Sequence, residues 1–532
     1  MSAPTAPRSA SRSLDRVVDS TTGRALVTRL RGVLSASGPE TVVLGSPASG
    51  LPVATLPRST PDDIDAAVRR ARAAQPAWAA TPVRERAAVL LRLHDLLLDH
   101  RDELTDLLQA ETGKDRLTAV NEVLHCALTA RYYGRTAPRH LRSERGHGLV
   151  PLLTRIDRNY VPLGLVGVIA PWNYPLTLAL SDGLAALAAG NAVLLKPDAQ
   201  TPLVALRGIE LLRAAGMPPD LWAVVVGPGD EVGPAVVGVA DHVCFTGSTK
   251  TGRTVARQCA ERLIGCSTEL GGKNPLVVLD DADVDVAAAG AVQAAFSNGG
   301  QLCVGAERIL VDEAVRPAFT AAFVARVAAL RVGYALDFGP DLGGLVNARQ
   351  LAVVRDQVED ARSQGATVLT GGRLLPEVGP FAYEPTVLTD VTAAMAVHAE
   401  ETFGPVAVVY GFRGDDEAVA LANDSAYGLN GSVWTRDHLR GRAVAARIRC
   451  GSMNVNDGFS AAFASVDAPM GGMKASGLGR RQGIEGIRRF VAVQSVATQS
   501  GPPLAPRGPV GPAQFVGFMT HALRVLKATG RP

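Results

Sequence analysis

Aromatic residues and net charge are both scarce in this sequence, and each shortage narrows the classes of function. Aromatic residues make up 5% of the 532 residues, and 54 basic against 51 acidic side chains give a formal net charge of +3. Such a chain has no cationic field to gather nucleic acid or anionic lipid, so we expect no nucleic-acid partner and disfavour a membrane partner. With 47% hydrophobic and 20% charged residues, the composition is typical of a globular protein rather than a disordered, fibrous or membrane one.

Metal-binding cysteine pairs and long apolar runs are also absent from the sequence. The six cysteines form no CxxC pair and show no Cys/His spacing typical of zinc. We therefore expect no metal site, reduced thiols and a cytoplasmic location. No apolar run approaches the roughly 20 residues that span a bilayer. The opening MSAPTAPRSASRS resembles a transit peptide in composition, but a solvated, disordered tail is the favoured interpretation.

Two series of short apolar runs alternate with alanine-rich helical stretches, which predicts two α/β domains with parallel strands. Helices are predicted before the first of these series, from about residue 60 to 78 and from 83 to 126. The first series of strands comprises 165–170, 192–195, 223–226, 242–245 and 276–279, and the second comprises 309–311, 367–369, 406–410 and 452–455. Segments 141–160 and 490–496 fit neither series and are typical of unpaired strands that meet another subunit.

The C-terminal segment, FVGFMTHALRVLK after a Pro/Gly-rich stretch, predicts a short amphipathic helix. Contact with a membrane or a partner is one interpretation of it. A helix packed against the body of the protein is favoured.

Glycine-rich turns after predicted strands are candidate dinucleotide sites. The run VVGPGDEVG at 225–233 has the spacing GxGxxxG and no acidic residue after the next strand, so it fails as a Rossmann fingerprint. The run TGSTKTG at 246–252 is better, because Gly247 permits a tight turn and Ser248 can cap a helix whose N-terminus attracts a pyrophosphate. A plain strand–turn–helix joint would need the same residues.

Lys196 and Asn173 follow other predicted strands, and Glu269 stands beside two glycines. Lys196 ends a buried strand where ligands of open α/β sheets bind, although a lone lysine there is more often a solvated surface residue. Asn173, in a proline-framed turn, is either an ordinary turn residue or a donor to a developing oxyanion. Glu269 can serve as a general base only if a nucleophile lies near it.

Cys303 lies in FSNGGQLCVGAER, a run of small and polar residues. A free cysteine is usually a small buried hydrophobe, and a reaction centre is the alternative interpretation. A cofactor-free cysteine hydrolase would need a histidine partner, and none of the nine histidines lies in a recognisable motif.

Taken in order, PWNYP, VLLKP, FTGSTKTG, ELGGKNP, GGQLC and EETFGPV make the chain resemble the aldehyde dehydrogenase superfamily from about residue 40 to 500. Within it, the chain looks most like the succinate-semialdehyde dehydrogenases of actinobacteria. The resemblance implies a Rossmann-type cofactor domain, an α/β catalytic domain and a β oligomerisation arm, assembled as a homodimer or homotetramer. Its implied boundaries are a disordered or extended segment at 1–40, a dinucleotide-binding domain at 41–140 and 161–272, a catalytic domain at 273–480, the arm at 141–160 and 481–500, and a C-terminal tail at 501–532.

The resemblance also implies residue roles in the oxidation of a small aldehyde to an acid. Cys303 would be the nucleophile, Glu269 the base that activates water, and the Asn173 amide with the Cys303 N–H the oxyanion hole. The residues implied to hold the dinucleotide are Trp172, Asn173, Lys196, Pro197, Asp198, Ala199, Gly247, Ser248, Leu270, Glu401 and Phe403. Relatives that transfer the acyl group to coenzyme A generally lack the glutamate, so Glu269 favours hydrolysis.

Cofactor and substrate follow from departures from the family pattern. Ala199 stands where a ribose-binding glutamate favours NAD in relatives, so NADP is favoured and NAD is the alternative, with Asp198 one position earlier as the complication. The expected substrate pocket includes Ser181, Ser297 and Phe459, and the two serines stand where other succinate-semialdehyde enzymes place arginines. Either another arginine binds the substrate carboxylate, or the substrate is an uncharged aldehyde. The resemblance to succinate-semialdehyde dehydrogenases keeps succinate semialdehyde as the leading substrate, and a broader aliphatic or aromatic aldehyde is the alternative. An inactive relative that keeps the fold is disfavoured, because the cysteine and the glutamate are both present.

Overall fold

Two largely parallel β-sheets with flanking helices form the body of the protein. The computed structural model describes residues 11–149, 153–500, 505–506 and 508–528. Residues 1–10, 150–152, 501–504, 507 and 529–532 lie outside the described residues, and so do the parts of the predicted N-terminal segment, arm and C-terminal tail that fall on them.

The described part of the N-terminal segment is helical from residue 11 to 31, which corrects the prediction of a disordered or extended chain for that part of residues 1–40. Helices α1 (Ser11–Asp19) and α2 (Thr21–Arg31) are followed by a hairpin of β1 (Thr41–Gly45) and β2 (Pro52–Pro57). Ser20 caps α2 by accepting a hydrogen bond from the Gly23 amide at 3.1 Å. Apolar side chains at helical spacing, including Leu14 and Val18, are buried. The many Ser, Arg and Pro residues concealed this pattern.

Four helices precede the first parallel sheet: α3 (Pro61–Ala80), α4 (Val83–Asp99), α5 (Arg101–Thr112) and α6 (Arg116–His140). A capping box between Thr60 and Asp63 starts α3. The predicted single helical stretch from 83 to 126 is divided in three. The second division is at Gly113, whose φ of 70° ends α5 in the left-handed conformation.

The first parallel sheet has the strand order β19-β9-β8-β5-β6-β7. Strand β19 is antiparallel and comes from the region predicted as catalytic, while the other pairings are parallel. Its strands are β5 (Leu165–Ile169), β6 (Ala192–Lys196), β7 (Trp222–Val224), β8 (His242–Thr246), β9 (Gly265–Glu269) and β19 (Gly477–Leu478). Its crossover helices are α7 (Pro175–Ala188), α8 (Pro202–Ala214), α9 (Gly229–Val239) and α10 (Thr249–Glu261).

The second sheet has the order β12-β13-β14-β11-β10-β16-β17 and is parallel except for the edge strand β12. Strand β10 was predicted in the first series but belongs to this sheet, and strands β13 and β16, like β9 of the first sheet, were not predicted. Its strands are β10 (Asn274–Val278), β11 (Ala306–Asp312), β12 (Thr367–Thr370), β13 (Thr386–Thr389), β14 (Val406–Phe412), β16 (Asn430–Trp434) and β17 (Ser452–Val455). Its helices are α11 (Val284–Phe296), α12 (Arg316–Ala328), α13 (Ala348–Ser363), α14 (Ala396–Ala399), α15 (Gly414–Asn423), α16 (His438–Arg447) and α17 (Ser460–Ala464). A small ribbon pairs β15 (Tyr427–Gly428) with β18 (Met473–Lys474).

A separate antiparallel sheet, ordered β20-β4-β3, contains β3 (Glu144–Gly146), β4 (Thr154–Pro162) and β20 (Val491–Gln499). The predicted arm segment 481–500 is only partly strand, because helix α18 (Gly483–Arg488) occupies its first part and buries Ile487. In the predicted tail, helix α19 (Pro512–Ala528) forms but has no buried residue. The prediction that it packs against the body is therefore wrong for this chain.

Candidate active site

A cavity of about 550 Å³ opens at the carboxyl ends of β5, β6, β8 and β9, where the first sheet meets segments of the second. Ligands of open α/β sheets bind at this kind of edge, because several strand ends place their loops side by side. The predicted residues that line it are Trp172, Asn173, Asp198, Gly247, Ser248, Glu269, Leu270, Cys303, Glu401 and Phe403. Side chains separated by more than 200 positions are thus brought together.

Three of the residues predicted to hold the dinucleotide do not line this cavity. Lys196 is 4% exposed and its Nζ donates to the Pro197 carbonyl at 3.2 Å. Burial lowers the pKa of Lys196, although the Asp198 carboxylate partly opposes the shift. Of the four predicted residues from 196 to 199, only Asp198 forms part of the cavity wall.

The loop before Cys303 is held in a left-handed conformation. Asn298, Gly299 and Gly300 have φ values of 56°, 62° and 71°. A Cβ on Gly300 would lie 1.9 Å from the Gly404 carbonyl oxygen, so only glycine fits there. The turn brings Cys303 to the cavity wall, and Asn274 Nδ2 fixes its carbonyl with a hydrogen bond of 2.7 Å.

The Asn173 side chain is 4% exposed and faces the same loop. Its Nδ2 donates one hydrogen bond to the Gln301 carbonyl at 3.1 Å. An amide nitrogen carries two hydrogens, so one donor remains for another acceptor. The Asn173 carbonyl accepts from Lys114 Nζ at 2.8 Å and from Asn298 Nδ2 at 3.3 Å, which fixes the turn.

Electrostatics keep Cys303 and Glu269 protonated near neutral pH in the protein alone. Burial raises the pKa of the Cys303 thiol to about 12, and the carboxylates of Glu401 and Glu269 add to the shift. Burial also raises the pKa of Glu269 to about 8, partly opposed by Arg481. Neither carboxyl oxygen of Glu269 has a hydrogen-bond partner among the described residues. A buried, unpartnered carboxyl group with a raised pKa is suited to exchange protons.

The opposite wall presents a second carboxyl group and an aromatic pair. Glu401 Oε1 accepts from the Gly272 amide at 2.8 Å, and burial raises the pKa of Glu401 to about 8. A Cβ on Gly271 would lie 2.4 Å from Glu401 Oε2, so a side chain there would displace the Glu401 carboxyl group. The rings of Trp172 and Phe403 meet edge to face with centroids 5.5 Å apart.

Comparison with known proteins identifies the family. Residues 34–496 match one family model, which is most of the chain. The chain belongs to the aldehyde dehydrogenase family. This membership confirms the predicted fold class and the prediction of an NAD(P)-dependent aldehyde dehydrogenase.

Three relatives of this aldehyde dehydrogenase illustrate the similarity. A protein of Mycolicibacterium smegmatis provisionally named succinate-semialdehyde dehydrogenase [NADP(+)] is 49% identical over 91% of this chain and 94% of its own. The glutarate-semialdehyde dehydrogenase of Pseudomonas putida is 37% identical over 87% of this chain and 95% of its own. The crystal structure of the NAD-dependent aldehyde dehydrogenase from Sinorhizobium meliloti superposes with a TM-score of 0.85 at 33% identity, covering 88% of this chain and 93% of that chain.

A buried ion pair in this dehydrogenase, missed from the sequence, supports the Phe403 segment. Lys273 Nζ lies 2.5 Å from Glu307 Oε2, and both side chains are buried. Glu307 also accepts hydrogen bonds from the amides of Thr402 and Phe403, the latter at 2.9 Å. Phe403 has a φ of 53°, so the pair holds a strained turn. Lys273 lies within the ELGGKNP motif, which was the available signal, but nothing in the motif indicates its partner.

A second buried pair supports the Asn173 turn. Lys114 Nζ lies 2.7 Å from Glu122 Oε2. Glu122 Oε1 in turn accepts from the amides of Leu176 and Thr177 in the first turn of α7. The pair therefore joins the Asn173 carbonyl to the start of the helix that follows it.

Arg349 is a further cavity residue that the sequence did not reveal. It lies in the first turn of α13, is exposed, and lines the cavity beside Gln350. Among the described residues it has no ion-pair or hydrogen-bond partner. Gln350 Nε2 donates to the carbonyls of Thr402 and Phe403, so Arg349 stands next to the residues that form the aromatic wall.

Beyond Cys303, the surroundings are mainly apolar. The side chains packed there are Leu302, Val304, Leu429, Met470, Tyr174, Phe459 and Phe463. Ser181 Oγ lies 3.3 Å from Thr177 Oγ1, which also contacts His125 Nδ1 at 2.9 Å. Burial lowers the pKa of His125 to about 4, so this histidine is neutral at pH 7. Ser297 Oγ donates to the Gln293 carbonyl at 2.7 Å, at the end of α11.

Proposed function

We propose that this aldehyde dehydrogenase oxidises a semialdehyde with a terminal carboxylate to the dicarboxylic acid, with NADP⁺ as oxidant. Succinate semialdehyde is the leading candidate for this substrate. The observation that carries the proposal is the single cavity that contains Cys303, Glu269 and Asn173 together with the residues expected to hold a dinucleotide. The names of the M. smegmatis and P. putida relatives support the substrate class.

The proposed reaction begins at Cys303. Its thiol carries a raised pKa, so a base must take the proton as sulfur adds to the aldehyde carbon. The free donor of Asn173 Nδ2 and the Cys303 N–H are proposed to hold the resulting oxyanion. A bound nicotinamide dinucleotide supplies the acceptor for the hydride that leaves this carbon, which converts the adduct to a thioester.

Glu269 is proposed to complete the reaction. Its unpartnered carboxylate removes a proton from water, the hydroxide adds to the thioester carbonyl, and the acid leaves as the proton returns to the Cys303 sulfur. The overall balance is aldehyde, water and NADP⁺ giving carboxylic acid, NADPH and a proton.

The residues of the cavity suit a dinucleotide. Ser248 caps α10 by accepting from the Thr251 amide at 3.3 Å, which aims the helix N-terminus at the cavity. Close packing of Gly271 against Glu401 keeps that wall open for a flat ring. We propose that Arg349 adds a cation for the phosphate groups, since it is exposed at the cavity and unpaired among the described residues.

The choice of NADP over NAD rests on the end of β6. Ala199 offers no carboxylate to repel a 2′-phosphate. Asp198 Oδ1 accepts a hydrogen bond from the Gln200 amide at 2.9 Å, so part of this carboxylate is used within the turn. We propose that Lys196 turns from the Pro197 carbonyl to the 2′-phosphate, and that NAD is the weaker alternative.

A broader aldehyde specificity is the second candidate, and the pocket composition favours it. Ser181 and Ser297 stand in place of arginines, and the side chains around Cys303 are mostly apolar or aromatic. Such a pocket would accept an uncharged aliphatic or aromatic aldehyde.

The arm sheet supports a proposal of a homodimer or homotetramer. Strand β20 lies at its edge, with Val493 62% and Val496 42% exposed. Edges of this kind pair readily with another chain.

In the described part of the chain, no helix is both long and apolar enough to cross a bilayer.

The deciding experiment measures formation of reduced nicotinamide with four aldehydes, each with NADP⁺ and NAD⁺. The aldehydes are succinate semialdehyde, glutarate semialdehyde, hexanal and benzaldehyde. The proposal predicts the highest kcat/KM for succinate semialdehyde with NADP⁺. Higher values for hexanal or benzaldehyde would establish the broader specificity, and no turnover of any aldehyde would refute the dehydrogenase assignment for this site.

A further inference from the structure

Helix α19 (Pro512–Ala528) lies beyond residue 496, where the match to the family ends. None of its residues is buried, and Phe518 is 69% exposed. The sequence just before the helix, GPPLAPRGPVG, has the proline- and glycine-rich composition of a spacer. A folded body therefore carries an additional helix that serves no role in its core.

The apolar side chains of α19 cover about half of its circumference, since each residue turns the helix by about 100°. The centre of this apolar half contains Phe515, Met519, Ala522 and Leu526. Its two edges contain Val516 and Leu523 on one side and Phe518 and Val525 on the other, all exposed. The opposite half contains Gln514, Thr520, His521, Arg524 and Lys527.

Charge is also separated along the chain. Residues 500–532 contain four basic residues, Arg507, Arg524, Lys527 and Arg531, and no acidic residue. The rest of the chain then has 50 basic and 51 acidic residues, a net charge of −1. The C-terminal segment therefore carries a net charge of +4 with no acidic residue, which the whole-chain value of +3 concealed.

We propose that α19 binds the surface of a bilayer that contains anionic phospholipid and holds the enzyme there. The apolar half would enter the boundary between headgroups and acyl chains, and Arg524 and Lys527 would face the phosphate groups. Seventeen residues give a length of about 26 Å, shorter than the hydrocarbon core of about 30 Å, so the helix lies in the surface plane.

The width of the apolar face favours a bilayer over a second protein. A helix that packs against a protein needs an apolar stripe of only 100° or somewhat more, with polar residues on its opposite face. In α19 both edges carry large apolar residues, and Phe518 and Val516 are 69% and 60% exposed. A flat lipid surface accommodates the full half-circumference, and the absence of acidic residues suits its negative charge.

Flotation of the full-length enzyme with vesicles tests this proposal. One vesicle population is pure phosphatidylcholine, and the other contains phosphatidylglycerol as well. We expect at least about tenfold more enzyme on the anionic vesicles, because each cation near such a surface strengthens binding by about fivefold. High salt should reduce the binding.

Three double variants identify the contact. F518Q/L523Q removes apolar side chains from both edges and should abolish flotation, whereas T520Q/H521Q changes the polar half and should float like the wild type. R524Q/K527Q should reduce binding by roughly 25-fold, about fivefold for each cation removed. Dehydrogenase activity confirms that each variant is folded, because none of these residues lies in the active site.

Two results would overturn the proposal. One is a wild-type enzyme that floats with neither vesicle population. The other is an F518Q/L523Q variant that floats normally but has a lower assembly mass in light scattering, since α19 would then be an interface between copies of this chain.

Discussion

Replacement of Glu269 by glutamine tests the proposed base directly, because the change removes a titratable carboxylate and keeps nearly the same side-chain shape. Glu269 is 4% exposed, and neither of its oxygens has a hydrogen-bond partner among the described residues. The substitution therefore breaks no hydrogen bond, and we expect little change in the thermal transition. A loss of activity would then report the chemistry of this group.

The raised pKa of Glu269, about 8, sets the expected pH dependence. The base must be ionised, so its active fraction rises with pH: about one tenth at pH 7 and about nine tenths at pH 9. Where thioester hydrolysis limits turnover, kcat should rise about tenfold over this interval. In Glu269→Gln we expect kcat to fall by about 100- to 10,000-fold and to lose this rise.

The assay is steady-state kcat from pH 6.5 to 9.5 at saturating aldehyde and NADP⁺. Glu400→Gln is the matched control, because Glu400 is an exposed carboxylate in the next motif. Glu401→Gln distinguishes the role of Glu401 from that of Glu269, the other buried carboxyl group of the cavity. This variant should show the same rise of kcat with pH as the wild type. A wild-type kcat that does not change with pH, or a Glu269→Gln enzyme with wild-type kcat, would refute the reasoning.

Three other changes test the surroundings of the site. Gly300→Ala should abolish activity, because its Cβ would lie 1.9 Å from a carbonyl oxygen. Gly299→Ala has no atom nearer than 3.5 Å to its Cβ, so it should cost only about 1–3 kcal/mol of stability through backbone strain. Equal activities of the two variants would contradict this account. Glu307→Gln leaves the buried Lys273 without its ionic partner, so we expect a loss of about 3 kcal/mol of stability and weaker dinucleotide binding. Thermal unfolding measures the first effect and calorimetry the second. An unchanged transition temperature would argue against this role of the pair. Arg349→Met should weaken NADP⁺ binding about tenfold in calorimetry, and Arg355→Met, which changes an exposed arginine outside the cavity, is the unaffected control. Identical affinities of the wild type and Arg349→Met would remove Arg349 from the phosphate site.

The motifs allowed the central part of the cavity to be predicted because of how parallel sheets are built. Asn173 and Gly247 follow predicted strands of one sheet, and the carboxyl ends of parallel strands share an edge. Glu269 ends β9, which was not predicted, so its place came from the resemblance. Cys303 could be placed with them only through the resemblance, since it precedes a strand of the other sheet. The strand series itself was readable, because buried parallel strands are continuous apolar runs.

Other features depend on pairings that no local pattern indicates. Lys273 and Glu307 are 34 positions apart and meet only because β10 and β11 are neighbours. Lys196 was expected in the cavity because it ends β6, but its Nζ turns to the adjacent carbonyl. Helices α1 and α2 were missed because composition was given more weight than the spacing of residues such as Leu14 and Val18.

The most direct test of the central claim is identification of the acyl group on the enzyme. Glu269→Gln enzyme is mixed with succinate semialdehyde and NADP⁺, quenched in acid, digested and analysed by peptide mass spectrometry. The account predicts one succinyl group on the peptide that contains Cys303, formed together with about one equivalent of NADPH, and none in a Cys303→Ala variant. NADPH formation with Cys303 unmodified, or acylation of a different residue, would contradict it.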